Sequence, residues 1–124
     1  MARVAYLTGR SYRGAPTPPG DVPPLERVSR DLIFAAGREH GVEFEVAYWD
    51  DAQLAVRGFD AAVIRTCWDY HERPEHFLAS LDAFERAGLA VFNRSEVVRW
   101  NFRKTYLQQL GPSAIETVWA EKAD

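Results

Sequence analysis

The chain is poor in sulfur. It has one cysteine, Cys67, so no disulfide can close within it, and one methionine at the start. A chain that depends on no disulfide fits a reducing compartment such as the cytoplasm. It also lacks excess positive charge. Fifteen Lys and Arg stand against eighteen Asp and Glu, for a net charge of -3, and no basic run forms a stripe. There is thus no electrostatic footprint for nucleic acid. The first residues, MARVAYLTGRSY, have no apolar core of a secretory signal, and no stretch reaches membrane-spanning length, so no membrane partner is expected. Repeats and low-complexity tracts are missing as well. What is present is material for one packed domain: 124 residues, 47% hydrophobic and 13% aromatic, with four Trp. That supports a real core but not two ordinary domains.

Hydrophobic patterning predicts alternating strands and helices. Val4 to Thr8 is short, apolar and β-prone, and reads as a buried first strand. Gly9 to Pro24 holds Pro16, Pro18, Pro19, Pro23 and Pro24, which predicts a long loop. Leu25, Val28, Leu32 and Ala36 recur at helical spacing and predict a helix with those residues inward, stopped near Gly41. Phe44 to Trp49 alternates as a second strand. Ala61 to Ile64 is a continuous apolar run, the pattern of a strand covered on both faces. Pro74 suits a helix start, with Phe77, Leu78, Leu81 and Phe84 as its apolar stripe. Leu89 to Phe92 predicts another buried strand. Ser95 and Asn101 are candidate helix caps. Tyr106, Leu107 and Leu110 predict the inner face of a last helix, and Ile115 to Trp119 a final short strand. Such alternation predicts an α/β fold, a mostly parallel open sheet with helices on both faces.

Ligands of open parallel sheets gather beyond the carboxyl ends of the strands. The segment VIRTCWDYHERP carries the strongest signal there. Arg65 follows a buried strand, where an unpaired charge is costly unless it meets solvent or a ligand. Arg can hold a carboxylate or phosphate through two parallel hydrogen bonds. Asp69 can hold an ammonium group or neutralise Arg65, and Trp68 and Tyr70 supply flat walls. These four suit a small zwitterion. They equally suit an Arg–Asp pair that pins a loop, and spacing alone leaves both readings open. GRSYRG after the first strand lacks both G-x-x-x-x-G-K-[ST] and G-x-G-x-x-G, so neither nucleotide fingerprint is present. Asp50 and Asp51 are too few for a metal site. His40, His71, His76 and Cys67 show no ligand spacing, and Cys67 reads as a small buried side chain. No catalytic triad can be assembled. Lys104, near the start of the last predicted helix, is either solvated or set against an anion.

The segments VIRTCWDYHERPEHF and RSEVVRWNFRKTYLQQL resemble the amino-terminal part of ATP-grasp ligases related to glutathione synthetase and the RimK-type ligases. The likeness is strongest to the branch containing the cyclo-ligase that closes D-cycloserine from O-ureido-serine. In that branch a strand runs into an R-S/T-x-WDY turn. A helix with Pro and Phe follows, then a strand ending in Asn, then RWN-x-x-K-x-YL. The stations here are Arg65, Thr66, Trp68, Asp69 and Tyr70; Pro74 and Phe77; Asn93; and Arg99, Trp100, Asn101, Lys104, Tyr106 and Leu107.

This resemblance implies a Rossmann-like pre-ATP-grasp domain over residues 1–110, with 111–124 beginning a connection to an ATP-grasp domain. It implies ligation in which ATP, with Mg2+, phosphorylates a carboxylate that an amine then attacks. Lys104 would face the nucleotide phosphates. Arg65, Trp68, Asp69 and Tyr70 would border a small amino-acid-like or peptide carboxylate. The second ATP lysine, the adenine-hinge residues, the acyl-phosphate Arg and the Mg2+ ligands of such ligases have no counterpart in these residues. The 124 residues alone are therefore expected to assemble no catalytic set, to hold no metal, to bind ATP weakly and to turn over no substrate. Lobes missing around Tyr106, Trp100 and Trp119 would leave an apolar surface, so self-association into a homo-oligomer is expected. The competing reading is a stand-alone, non-catalytic α/β binding or interaction domain.

Overall fold

The structure is a computed structural model that describes residues 1–12, 15–16 and 23–120. Strand β1 (Ala2–Thr8) leads into a two-residue ladder of β2 (Ser11–Tyr12) and β3 (Ala15–Pro16). Helix α1 (Pro24–Glu39), strands β4 (Val42–Tyr48) and β5 (Ala61–Thr66), helix α2 (Pro74–Arg86), strand β6 (Ala90–Phe92) and helix α3 (Ser95–Asn101) follow. Part of the predicted Gly9–Pro24 loop, residues 13–14 and 17–22, lies outside the described residues. Four strands form one parallel sheet in the order β4-β1-β5-β6, as the alternation of elements requires.

The side-chain alternation of β1 assigns one helix to each face. Tyr6 points to α1, where its ring meets Phe34 edge-on at 5.5 Å, and Phe34 stacks on Phe44. Ala5 and Leu7 point the other way, into the main core with Phe77, Leu81 and Phe84 of α2. Both helices begin with Pro at the first position, where its missing N–H costs nothing.

Helix α1 forms where predicted but is turned over. Leu25, Val28 and Leu32 are 79%, 57% and 67% exposed. The inward residues are Phe34 and Gly37. The cause is steric. A Cβ on Gly37 would lie 2.7 Å from the Phe44 ring, so the helix sits too close to β4 for larger side chains on that line. The apolar stripe is left facing out.

The carboxyl-terminal part also departs from expectation. Asn101 ends α3 and opens no helix. Ser95 is the first residue inside α3. Its hydroxyl donates to Glu85 Oε2 at 2.5 Å while its N–H donates to Oε1, so a carboxylate from α2 caps α3. In place of a last α-helix, Lys104–Ser113 forms tighter 3₁₀ turns, broken at Gly111, whose φ is 51°. Pro112 follows and cannot donate to the helix. Ile115 to Trp119 pairs with no strand among the described residues, and Ile115 and Val118 are exposed. No helix among the described residues is long and apolar enough to cross a membrane.

Candidate functional site

The tip of β5 builds the site. β1 and β5 run in step from Val4↔Ala61 to Leu7↔Ile64, then slip so that Thr8 pairs with Thr66. Arg65 is the extra residue. Such a bulge re-aims a side chain. In a regular strand Ile64 and Arg65 would face opposite sides; here both line one cavity. Two threonines hold the bulge. The Thr66 hydroxyl donates to Thr8 Oγ1 at 2.8 Å, the Thr8 hydroxyl donates to the Thr66 carbonyl at 3.3 Å, and the Gly9 N–H donates to that same carbonyl at 3.0 Å.

Asp69 anchors the loop that follows. It is 2% exposed. Its Oδ1 accepts from the Trp49 indole at 2.7 Å and its Oδ2 from the Arg10 N–H at 2.8 Å. Arg73 lies 3.6 Å away, with its guanidinium over the Trp49 ring. These bonds to a buried carboxylate are charge-assisted and stronger than neutral ones. Asp69 therefore forms neither the ion pair with Arg65 nor a wall of the cavity. Asp50 is engaged as well, accepting from Arg10 Nε at 2.7 Å and Arg73 at 3.1 Å. Asp51 caps the N–H of Gln53 and pairs with Arg57. The adjacent acids thus point to different partners.

The cavity itself has a volume of about 320 Å³, at the lower end for small-molecule pockets. Ile64, Phe77, Val98 and Phe102 give it an apolar floor, and Trp68 and Tyr70 stand at its sides. Tyr70 packs on Phe77 at 5.5 Å and on Phe102 at 5.4 Å, which links the loop to α2 and to the end of α3. Asn93, Asn101, Arg65 and Lys104 supply its polar groups. Among the described residues, neither Arg65 nor Lys104 makes an ion pair, and none of the residues lining the cavity is acidic. Cys67 also lines it but is buried; desolvation pushes its thiol up most, a backbone hydrogen bond at Arg65 pulls it partly back down, and the charge of Asp69 adds a smaller push up. A neutral thiol is a poor nucleophile.

Of the residues singled out in the sequence, Arg65, Trp68, Tyr70 and Lys104 meet at the cavity, and Asp69 lies behind it. Asn101, read as a cap, and Phe102 and Val98 complete the lining. Asn101 and Phe102 fall within RWNFRK and Val98 just before it, but the break after Asn101 that brings Lys104 to the cavity has no pattern of its own. The Trp49–Asp69 bond joins residues just past the ends of separate strands and is set by the register of β4 and β5 against β1.

A parallel sheet with a helix on each face and a cleft past its strand ends defines a Rossmann-like α/β domain. Residues 4–93 match the family described as the N-terminal domain of D-cycloserine synthetase DcsG, and the chain belongs to that family. The cycloserine biosynthesis protein DcsG of Streptomyces lavendulae is 28% identical over 98 residues, covering 79% of this chain and 30% of the relative. The crystal structure of D-cycloserine synthetase DcsG superposes with a TM-score of 0.69 at 25% identity, over 88% of this chain and 33% of that one. The chain thus spans about a third of the length of the proteins it matches. Asn101 and Lys104 lie past the family match, so the cavity joins matched and unmatched residues.

Proposed function

We propose that this chain is the substrate-side, N-terminal domain of an ATP-dependent carboxylate–amine ligase of the ATP-grasp type, working through an acyl phosphate. Family membership supports the ligase class. The observation that carries the reading is that Arg65 and Lys104, from separate elements, line one cavity with no acid among its described lining residues. Arg65 would clamp the substrate carboxylate, with Trp68 and Tyr70 as walls, and Asp69 would hold that wall in place through Trp49 and Arg10. Lys104 would balance the nucleotide phosphates. ATP supplies the phosphoryl group that activates the carboxylate, and orienting that carboxylate is the part this chain performs. Among the described residues no group of three His, Cys, Asp or Glu side chains could hold Mg2+.

Calorimetry on the chain tests this reading. A small carboxylate should bind in the millimolar range, about 4 kcal/mol, and Arg65→Ala should weaken it by about tenfold or more, the worth of a charge-assisted bond. ATP should bind weakly or undetectably, and no ADP should form. Tight ATP binding, or carboxylate binding unchanged by Arg65→Ala, would refute the assignment.

A further inference from the structure

The cavity is unbalanced in charge. Arg65 and Lys104 line it without ion-pair partners among the described residues, and no acid joins them. The neighbouring acids are spoken for. Asp69 is 2% exposed and held by Trp49 and the Arg10 N–H. Asp50 is held by Arg10 and Arg73. Cys67 is neutral and adds no negative charge. The other polar groups, Asn93 and Asn101, are neutral amides.

Resting on the ligase reading above, we infer that this cavity selects the anionic end of its ligand and discriminates against a free ammonium group. The ligand class is a small carboxylate or phosphate anion that enters with its charge toward Arg65 and Lys104. Any amine it carries points out of the cavity and finds its counter-charge elsewhere. This sharpens the zwitterion expected from sequence: the group expected to hold the ammonium, Asp69, is turned away and saturated. The apolar floor lowers the local dielectric, so attraction of an anion and repulsion of a cation both grow.

The test uses four probes on the 124-residue chain, followed by the 15N–1H signals of Arg65, Lys104 and the Trp68 indole. Lactate and alanine have nearly the same shape, with hydroxyl replacing ammonium; alaninamide carries the ammonium without the carboxylate; pyrophosphate is the phosphate arm. Lactate should bind at least about fivefold tighter than alanine, the repulsion of one like charge at short range, and alaninamide should leave the signals unmoved. Arg65→Gln should weaken lactate more than pyrophosphate if the cavity takes a carboxylate, and Lys104→Gln should weaken pyrophosphate more if it takes a phosphate. Alanine or alaninamide binding as tightly as lactate at these signals overturns the selectivity while leaving the ligase reading standing. If none of the four probes shifts them, both fall.

Discussion

Gly9 has no room for a side chain. A Cβ there would lie 2.1 Å from Asp69 Oδ1, so the first loop and the WDY turn are fitted to each other atom by atom. Gly9→Ala should destabilise the chain by about 2 kcal/mol, the cost of overpacking. Asp69→Ala should cost about 3 kcal/mol, because the Trp49 indole and the Arg10 N–H both lose a buried acceptor. Urea denaturation measures both; a loss under 1 kcal/mol for Asp69→Ala would contradict the anchoring role. The single thiol gives a second check. Burial raises the Cys67 pKa above its ordinary value of 9.0. The folded state then keeps its proton where the unfolded state has lost it. Stability from this group is present below pH 9.0 and falls as pH rises past it. Cys67→Ala should flatten that fall, and in the native chain a thiol reagent should label Cys67 no faster than the protein opens. At this scale Arg65, Trp68 and Tyr70 were legible as residue types after a strand, and Lys104 from its place near a predicted helix start and from the RWN-x-x-K resemblance. The Asp69 partners were not, since Trp49 is twenty positions away and meets it only through strand register.

At the scale of elements, strands were readable because burial on both faces leaves a continuous apolar run, as in Ala61 to Ile64. The bulge at Arg65 was not readable. Its cause is a pair of threonine hydroxyls that the hydrophobic pattern does not record. Thr66→Val removes the 2.8 Å link to Thr8 and should cost about 1 kcal/mol, while weakening carboxylate binding through Arg65; unchanged binding would show that the bulge does not set the site. Helix α1 shows the limit of periodicity: its stripe was real, but Gly37 against Phe44 decides which side faces the sheet. Leu32→Glu should therefore change stability by less than about 0.5 kcal/mol, as an exposed substitution does. Phe34→Ala, which removes the contacts with Tyr6 and Phe44, should cost about 2–3 kcal/mol. The reverse order would put the stripe inward.

For the whole molecule, large apolar side chains stand exposed among the described residues at Leu25, Val28 and Leu32 on α1 and at Trp100 and Trp119 toward the other end of the chain. We propose that they drive self-association. Sedimentation at rising concentration should show dimers or larger species, and a monomer throughout would contradict this. The central claim concerns the other surface: β5's bulged tip and the turn beyond α3 bring Arg65 and Lys104 to one anion-binding cavity. A calorimetric titration with malonate, which offers one carboxylate to each cation, on the native chain, Arg65→Ala, Lys104→Ala and the double variant tests it most directly. The account predicts that each single change weakens malonate by about tenfold or more and that the double variant does not bind it measurably. Malonate affinity unchanged by either single substitution would contradict it.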